Sequence, residues 1–290
     1  MAAGWDGRTR GTHWMQRALV GIIRAVGVRP IYWVMHLWLV WYCLVRGSER
    51  RSSYQFHRMR GRNRVQAIVD VYRSFYHFGK AIVDRFAVYS GHTFDVEVEN
   101  WNLYLDKVKG KDSVVLLFSH LGNSEMAAYT MNTAAKKMNI LLFGGESAVV
   151  LANRAKVLNE NKAGMIIVNP GEMDHIYAVN EALLRGEVLA IAGDRNMGSK
   201  TISCRFMGKE APLPAGVFQL CVTSKCPILL TFVIKEGVNA YHIYTEELHP
   251  NAALSRMERA QDLAQQFAGR LEQMAYQYPY EWFNFYNFWK

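Results

Sequence analysis

Three short stretches of this 290-residue chain place chemically useful side chains in loops that follow apolar runs. The first is Ser119-His120-Leu121-Gly122-Asn123-Ser124-Glu125, after the run Val-Val-Leu-Leu-Phe that begins at Val114. His120 and Glu125 are five apart, which on one continuous helix would set them about 140° out of phase. Across a strand–turn–helix junction the carboxylate can reach back to the ring. A histidine held by a carboxylate is a general base with a fixed tautomer. The plainer alternative is that Glu125 complements a helix N-terminus while His120 is a satisfied loop residue.

The second stretch is Gly193-Asp194-Arg195-Asn196. It offers a cation for an anionic group and a carboxylate to hold that cation, or else an ordinary ion pair. The third runs from Phe206 to Gly216, with Pro214 near the start of a helix and Gly216 beside it. There, backbone N–H groups can hold an anion or oxyanion. Asn153, Arg154 and Lys156 add cations nearby, or solvate a helix face. Several familiar sites are excluded. There is no G-x-S-x-G elbow and no H-E-x-x-H zinc pattern, and residues 193–200 (GDRNMGSK) put Lys200 out of register for a P-loop.

Positioning these loops calls for buried strands. Apolar runs at 114–119, 140–143, 165–168, 188–192 and 228–234 read as such strands, and 240–245 alternates like an edge strand. Helical stretches fit 123–138, 147–161, 174–185 and 215–224. A long helix over 255–276 has Ser255 and Glu258 as a capping box. Residues 65–86 carry a three-to-four apolar step. The expected fold is α/β, a mostly parallel sheet flanked by helices, with ligands at the carboxyl ends of the strands.

The net charge of +9 is unevenly placed. Residues 1–64 hold twelve Arg and no Lys against Asp6 and Glu49, a formal +10, which leaves residues 65–290 at −1. A chain-wide nucleic-acid surface is therefore excluded. The Arg residues bracket the runs 18–28 and 31–45, divided at Arg29-Pro30, and the second run holds Trp33, Trp38 and Trp41. Fifteen helical residues span about 22 Å, short of a roughly 30 Å hydrocarbon core. The expectation is an N-terminal unit (1–64) of helices lying in one leaflet, followed by the α/β domain (65–290). Asp6 and Gly7 precede any apolar core and no cleavage site follows, so a retained segment is expected. Cys43, Cys204, Cys221 and Cys226 form no C-x-x-C pair, which suits reduced thiols in the cytoplasm and no metal.

Taken together, these blocks resemble the lipid A late acyltransferases, a branch of the lysophospholipid acyltransferase-like superfamily with a glycerolipid acyltransferase-like fold. The resemblance rests on the Arg-flanked apolar N-terminus, the H-x4-E element of His120 and Glu125, the Gly193-Asp194-Arg195 block and the FMGKEAPLPAG stretch from Phe206. It implies an enzyme at the cytoplasmic face of the bacterial inner membrane. Such an enzyme moves an acyl chain from an acyl-carrier protein or coenzyme A thioester to a hydroxyl of a lipid acceptor, with no cofactor. By the same resemblance His120 is the base and Glu125 orients it. Arg154, Asp194, Arg195, Gly208 and Pro214 would serve substrate binding, with membrane lipids and acyl-carrier protein as partners. The loop reads Asp194-Arg195-Asn196 where the family tends to an Asp-Gln-Asp type element. The Tyr278–Tyr286 tail is similar to a branch linked to aryl-polyene or other specialised lipids; both departures bear on the acceptor. A glycerolipid acyltransferase and a non-catalytic lipid-binding protein are the rival readings.

Overall fold

The computed structural model describes residues 13–131, 135–144, 151, 152, 154, 155, 158, 163–169, 172–196 and 200–289. Most of the expected 147–161 helix, with Asn153 and Lys156, lies outside the described residues. The α/β expectation holds. Seven strands form one sheet in the order β1-β9-β8-β2-β5-β3-β4. In sequence these are β1 (Asp95–Val98), β2 (Val114–Gly122), β3 (Met138–Phe143), β4 (Ala163–Val168), β5 (Val188–Ala192), β8 (Ile228–Lys235) and β9 (Ala240–Leu248). All neighbours in that sheet run parallel except β8 and β9. A separate antiparallel hairpin pairs β6 (Thr201–Phe206) with β7 (Lys209–Pro214).

Alternation along β2 explains why its run is continuously apolar. Val115 and Leu117 face one core with Leu230, Phe232 and the helix Arg256–Gln277. Val114 and Leu116 face the other core with Val188, Leu229 and Val233. A strand covered on both faces has no side to leave polar. The Arg256–Gln277 helix begins with the expected capping box, each partner of the Ser255–Glu258 pair receiving the other's backbone N–H.

Four helices precede the sheet, α1 (His13–Val26), α2 (Val28–Val45), α3 (Gly47–Met59) and α4 (Arg64–Tyr89), and α5 (Trp101–Lys109) links β1 to β2. The first break falls at Gly27, whose φ of 73° ends α1, rather than at Arg29-Pro30. Pro30 sits in the first turn of α2, where its missing N–H costs no helical bond. Asn63 and Gln66 make a second capping box that starts α4. Only Val28, Tyr32 and Leu39 of α2 are buried. Trp33, Leu37, Trp38, Trp41 and Leu44 stand exposed on its other side.

Three local expectations are corrected. The 123–138 helix is cut to α6 (Glu125–Thr130), because Met138 and Asn139 are drawn into β3 by pairing with both β4 and β5. Residues 209–214 are a strand rather than a loop. Met207 and Gly208 take φ values of 51° and 74°, the turn that matches hairpin twist, and Pro212 and Pro214 are tolerated in a two-stranded ribbon. The 240–245 run, expected as an edge strand, lies inside the sheet as part of β9, because the short strand β1 pairs along its outer side.

Beyond Phe118 the pairing of β2 with β8 shifts register, and Gly122 lies at that bulge with φ of 77°. A Cβ there would sit 1.9 Å from the Val233 carbonyl oxygen. Gly122→Ala therefore costs about 1–3 kcal/mol for its backbone conformation alone, with the collision added. Thermal unfolding should show a markedly lowered midpoint, whereas Gly216→Ala, which meets no atom within 4 Å, should not.

Candidate active site

Strands β2 and β5 lie side by side and parallel, with Phe118 level with Ala192. Two residues further along each strand stand His120 and Asp194. The register therefore brings together two side chains 74 residues apart. Asp194 Oδ1 lies 2.8 Å from His120 Nδ1, and Asp194 Oδ2 accepts the His120 backbone N–H at 2.8 Å. Asp194 is buried, while the His120 side chain remains 32% exposed.

Burial raises a carboxyl pKa, but the His120 bonds and the Arg195 charge outweigh it and hold Asp194 below the usual range. An ionised Asp194 accepts from Nδ1–H, which leaves Nε2 as the basic nitrogen. His120 makes no Nε2 hydrogen bond among the described residues. Burial and the nearby Arg195 hold its pKa below the ordinary 6.5, against the opposing pull of Asp194. The ring is thus neutral at pH 7 and able to take a proton.

The C-terminal tail completes this frame. Trp282 bridges Leu121, with Gly122 N–H donating to Glu281 O (2.7 Å) and Phe283 N–H to His120 O (2.9 Å). The Tyr286 hydroxyl donates to Asp194 O (3.0 Å), and the Arg195 guanidinium stands 5.8 Å from the Tyr286 ring centre. Arg195 Nη2 also reaches Phe283 O at 3.4 Å. Both backbone polar groups of His120 are thereby occupied.

Glu125 does not hold His120, which corrects the expected pairing. It begins α6 and turns toward cations and phenols. Arg154 reaches it through Nε (3.1 Å) and Nη2 (3.3 Å), and Arg85 pairs with it at 2.5 Å. The Tyr89 and Tyr129 hydroxyls donate at 3.2 and 3.0 Å. Burial opposes the Glu125 charge, but the two guanidinium groups and these bonds bring its pKa down to about 2. Arg85 was missed in the sequence because on α4 it reads as one charge in an amphipathic helix.

His120, Glu125, Arg85, Arg154, Arg195 and Pro214 all line one cavity of about 870 Å³. The rest of its lining is largely apolar, with Leu116, Phe118, Ile140, Val179, Ala190 and Leu220 among it. Gly208 is not part of it and sits at the β6–β7 turn. Asp194 stands behind His120. The Ala215 N–H, expected to be open beside Pro214, donates to Lys200 O at 2.9 Å.

The family model for bacterial lipid A biosynthesis acyltransferases matches residues 71–290, about three quarters of the chain. The chain belongs to this family. No curated protein matches the sequence. The family points to lipid A-type acyltransferase activity. All but seven residues of α4 (Arg64–Tyr89), including Arg85, fall within the matched segment.

The Glu125 cluster also makes a stability prediction. Its folded pKa lies below the ordinary 4.5, so its contribution is complete above pH 4.5 and lost as pH falls through the folded value. Glu125→Gln should unfold at a lower temperature than wild type at pH 7. The gap should narrow steadily between pH 4.5 and 2.5. A gap independent of pH would reject the ion-pair account.

Proposed function

We propose that this chain is an O-acyltransferase that passes a fatty acyl group from a carrier-protein or coenzyme A thioester to a hydroxyl of a lipid A-type acceptor. The observation that carries this reading is the doubly bonded His120–Asp194 pair at the wall of a largely apolar cavity. His120 Nε2 removes the acceptor hydroxyl proton, and the alkoxide oxygen bonds to the thioester carbonyl carbon. The C–S bond then breaks, and the thiolate takes the proton back from the imidazolium. Asp194 keeps the ring in one tautomer and stabilises its charged form. No covalent acyl-enzyme is required.

In this reading Glu125 is a positioning residue. By holding Arg85 and Arg154 it aims positive charge at an acceptor phosphate, while Arg195 stands nearer the base for the oxyanion. Pro214 contributes to the wall of the acyl site. Gly208 then serves the hairpin rather than a substrate.

The membrane is the proposed source of the acceptor, and acyl-carrier protein or coenzyme A the donor carrier, at the cytoplasmic face of the inner membrane. Trp33, Trp38 and Trp41 on α2 and Trp14 on α1 are exposed in the described structure. The 18 residues of α2 span about 27 Å as a helix. That is marginal for a crossing and suits an interfacial or tilted placement among anionic headgroups. Exposed Arg–headgroup attraction is screened by salt. Protein binding to anionic vesicles should therefore fall as salt rises, and indifference to both salt and lipid charge would overturn the placement.

Acyl transfer from a labelled thioester to lipid acceptors tests the chemistry. His120→Ala and Asp194→Asn should each reduce turnover on the order of 10²–10⁴-fold while leaving vesicle binding intact. The acid limb of kcat/KM should lie below pH 6.5 in the wild type. Arg195→Gln should move it to higher pH, because Arg195 opposes His120 protonation. Full turnover by Asp194→Asn would reject the pair as base and orienting group.

A further inference from the structure

A second cleft, of about 690 Å³, opens among α2, α3 and α4. Its volume lies in the roughly 300–1,000 Å³ range of small-ligand sites. Val40 and Leu44 of α2 line it, and Ile68 of α4 faces them; these are 57%, 70% and 63% exposed. At one end stand Gly47, Ser48, Arg50 and Arg51. Arg50 and Arg51 bring two guanidinium groups to this end, against the single carboxylate of Glu49 in the first turn of α3.

The local acid is already engaged. Glu49 accepts from Ser48 Oγ and pairs with Arg46 at 3.4 Å. Arg50 spends one nitrogen on Cys43 O at 2.8 Å. Arg51 makes no hydrogen bond or ion pair among the described residues. A cation end and an apolar trough, continuous with the exposed face of α2, together describe an amphiphile with an anionic head.

We infer that this cleft binds one anionic glycerophospholipid, with its phosphate at Arg50 and Arg51 and an acyl chain along Val40, Leu44 and Ile68. The lipid is a bilayer component held as a resident, not the acyl acceptor. The site shares with the proposed function the seating of α2 in lipid, but it does not depend on chemistry at His120. A bound lipid there would brace α3 against α4, and so stabilise the folded chain by linkage.

The test is thermal unfolding of the full chain in non-ionic detergent. Dihexanoyl phosphatidylglycerol, dihexanoyl phosphatidylcholine and inorganic phosphate are the added probes. Phosphatidylglycerol should raise the unfolding midpoint by several degrees, and the other two should not. Arg51→Glu and Ile68→Glu, both at exposed positions, should each lose at least half of that rise. His120→Ala should keep all of it. An equal rise with phosphatidylcholine would overturn the inference, as would a full rise in both cleft variants. Loss of the rise in His120→Ala would assign the lipid to the catalytic cavity and reject the cleft. Vesicle binding and acyl transfer are separate measurements, so a failure here is distinct from a failure of the proposed function.

Discussion

The parallel pairing of β2 with β5 is the constraint on which the candidate site depends. With Phe118 level with Ala192, β5 ends while β2 runs on to Gly122. The Gly193 N–H donates to Phe118 O at 2.8 Å, which extends the pairing past the last strand residue. Asp194 then meets His120 at both Nδ1 and the backbone N–H. A one-residue slip would turn each side chain to the opposite face of the sheet. Slippage is resisted because both faces of β2 are buried in separate cores.

Around that pair the chain spends its less regular structure. Gly122 allows β2 to bulge against β8, the tail residues Glu281 to Phe283 bond both sides of the bulge, and Tyr286 braces Asp194. The result is a histidine with its backbone and one ring nitrogen committed. Such preorganisation is what a general base requires, since the remaining nitrogen is then aimed without a further entropic cost. Glu125 belongs to a second, adjacent cluster. It collects two arginines and two tyrosines at the same cavity.

The N-terminal helices are tied to this frame through polar contacts as well as packing. Asp84 of α4 is buried, and it accepts from Tyr32 of α2 and Tyr241 of β9 while pairing with Lys235 of β8 at 2.7 Å. Tyr241 in turn receives Asn123 Nδ2 at 3.2 Å, two residues before Glu125. His57 of α3 bonds Ser74 of α4 at 2.9 Å, and Phe56 packs on Trp282 of the tail. The apolar N-terminus is thus continuous with the elements that hold the site. This couples the exposed face of α2 to the sheet through a short chain of buried groups.

Local patterns in the sequence were enough for the α/β class, most strand positions, the Ser255 capping box and the separation of a +10 N-terminal quarter from a near-neutral remainder. Burial on both faces writes a strand as an unbroken apolar run, and a cap needs only residues within one turn. The same locality made His120 visible, since it follows such a run. Its carboxylate partner was not legible. Glu125 was nearer in sequence, but Asp194 is nearer in space, because parallel strands join residues separated by a long crossover. Arg85 and the tail contacts were hidden for the same reason. The sequence by itself determined which groups could do chemistry and which segments must be buried. Only the tertiary structure decided which carboxylate holds His120, because that choice is made by strand register across 74 residues.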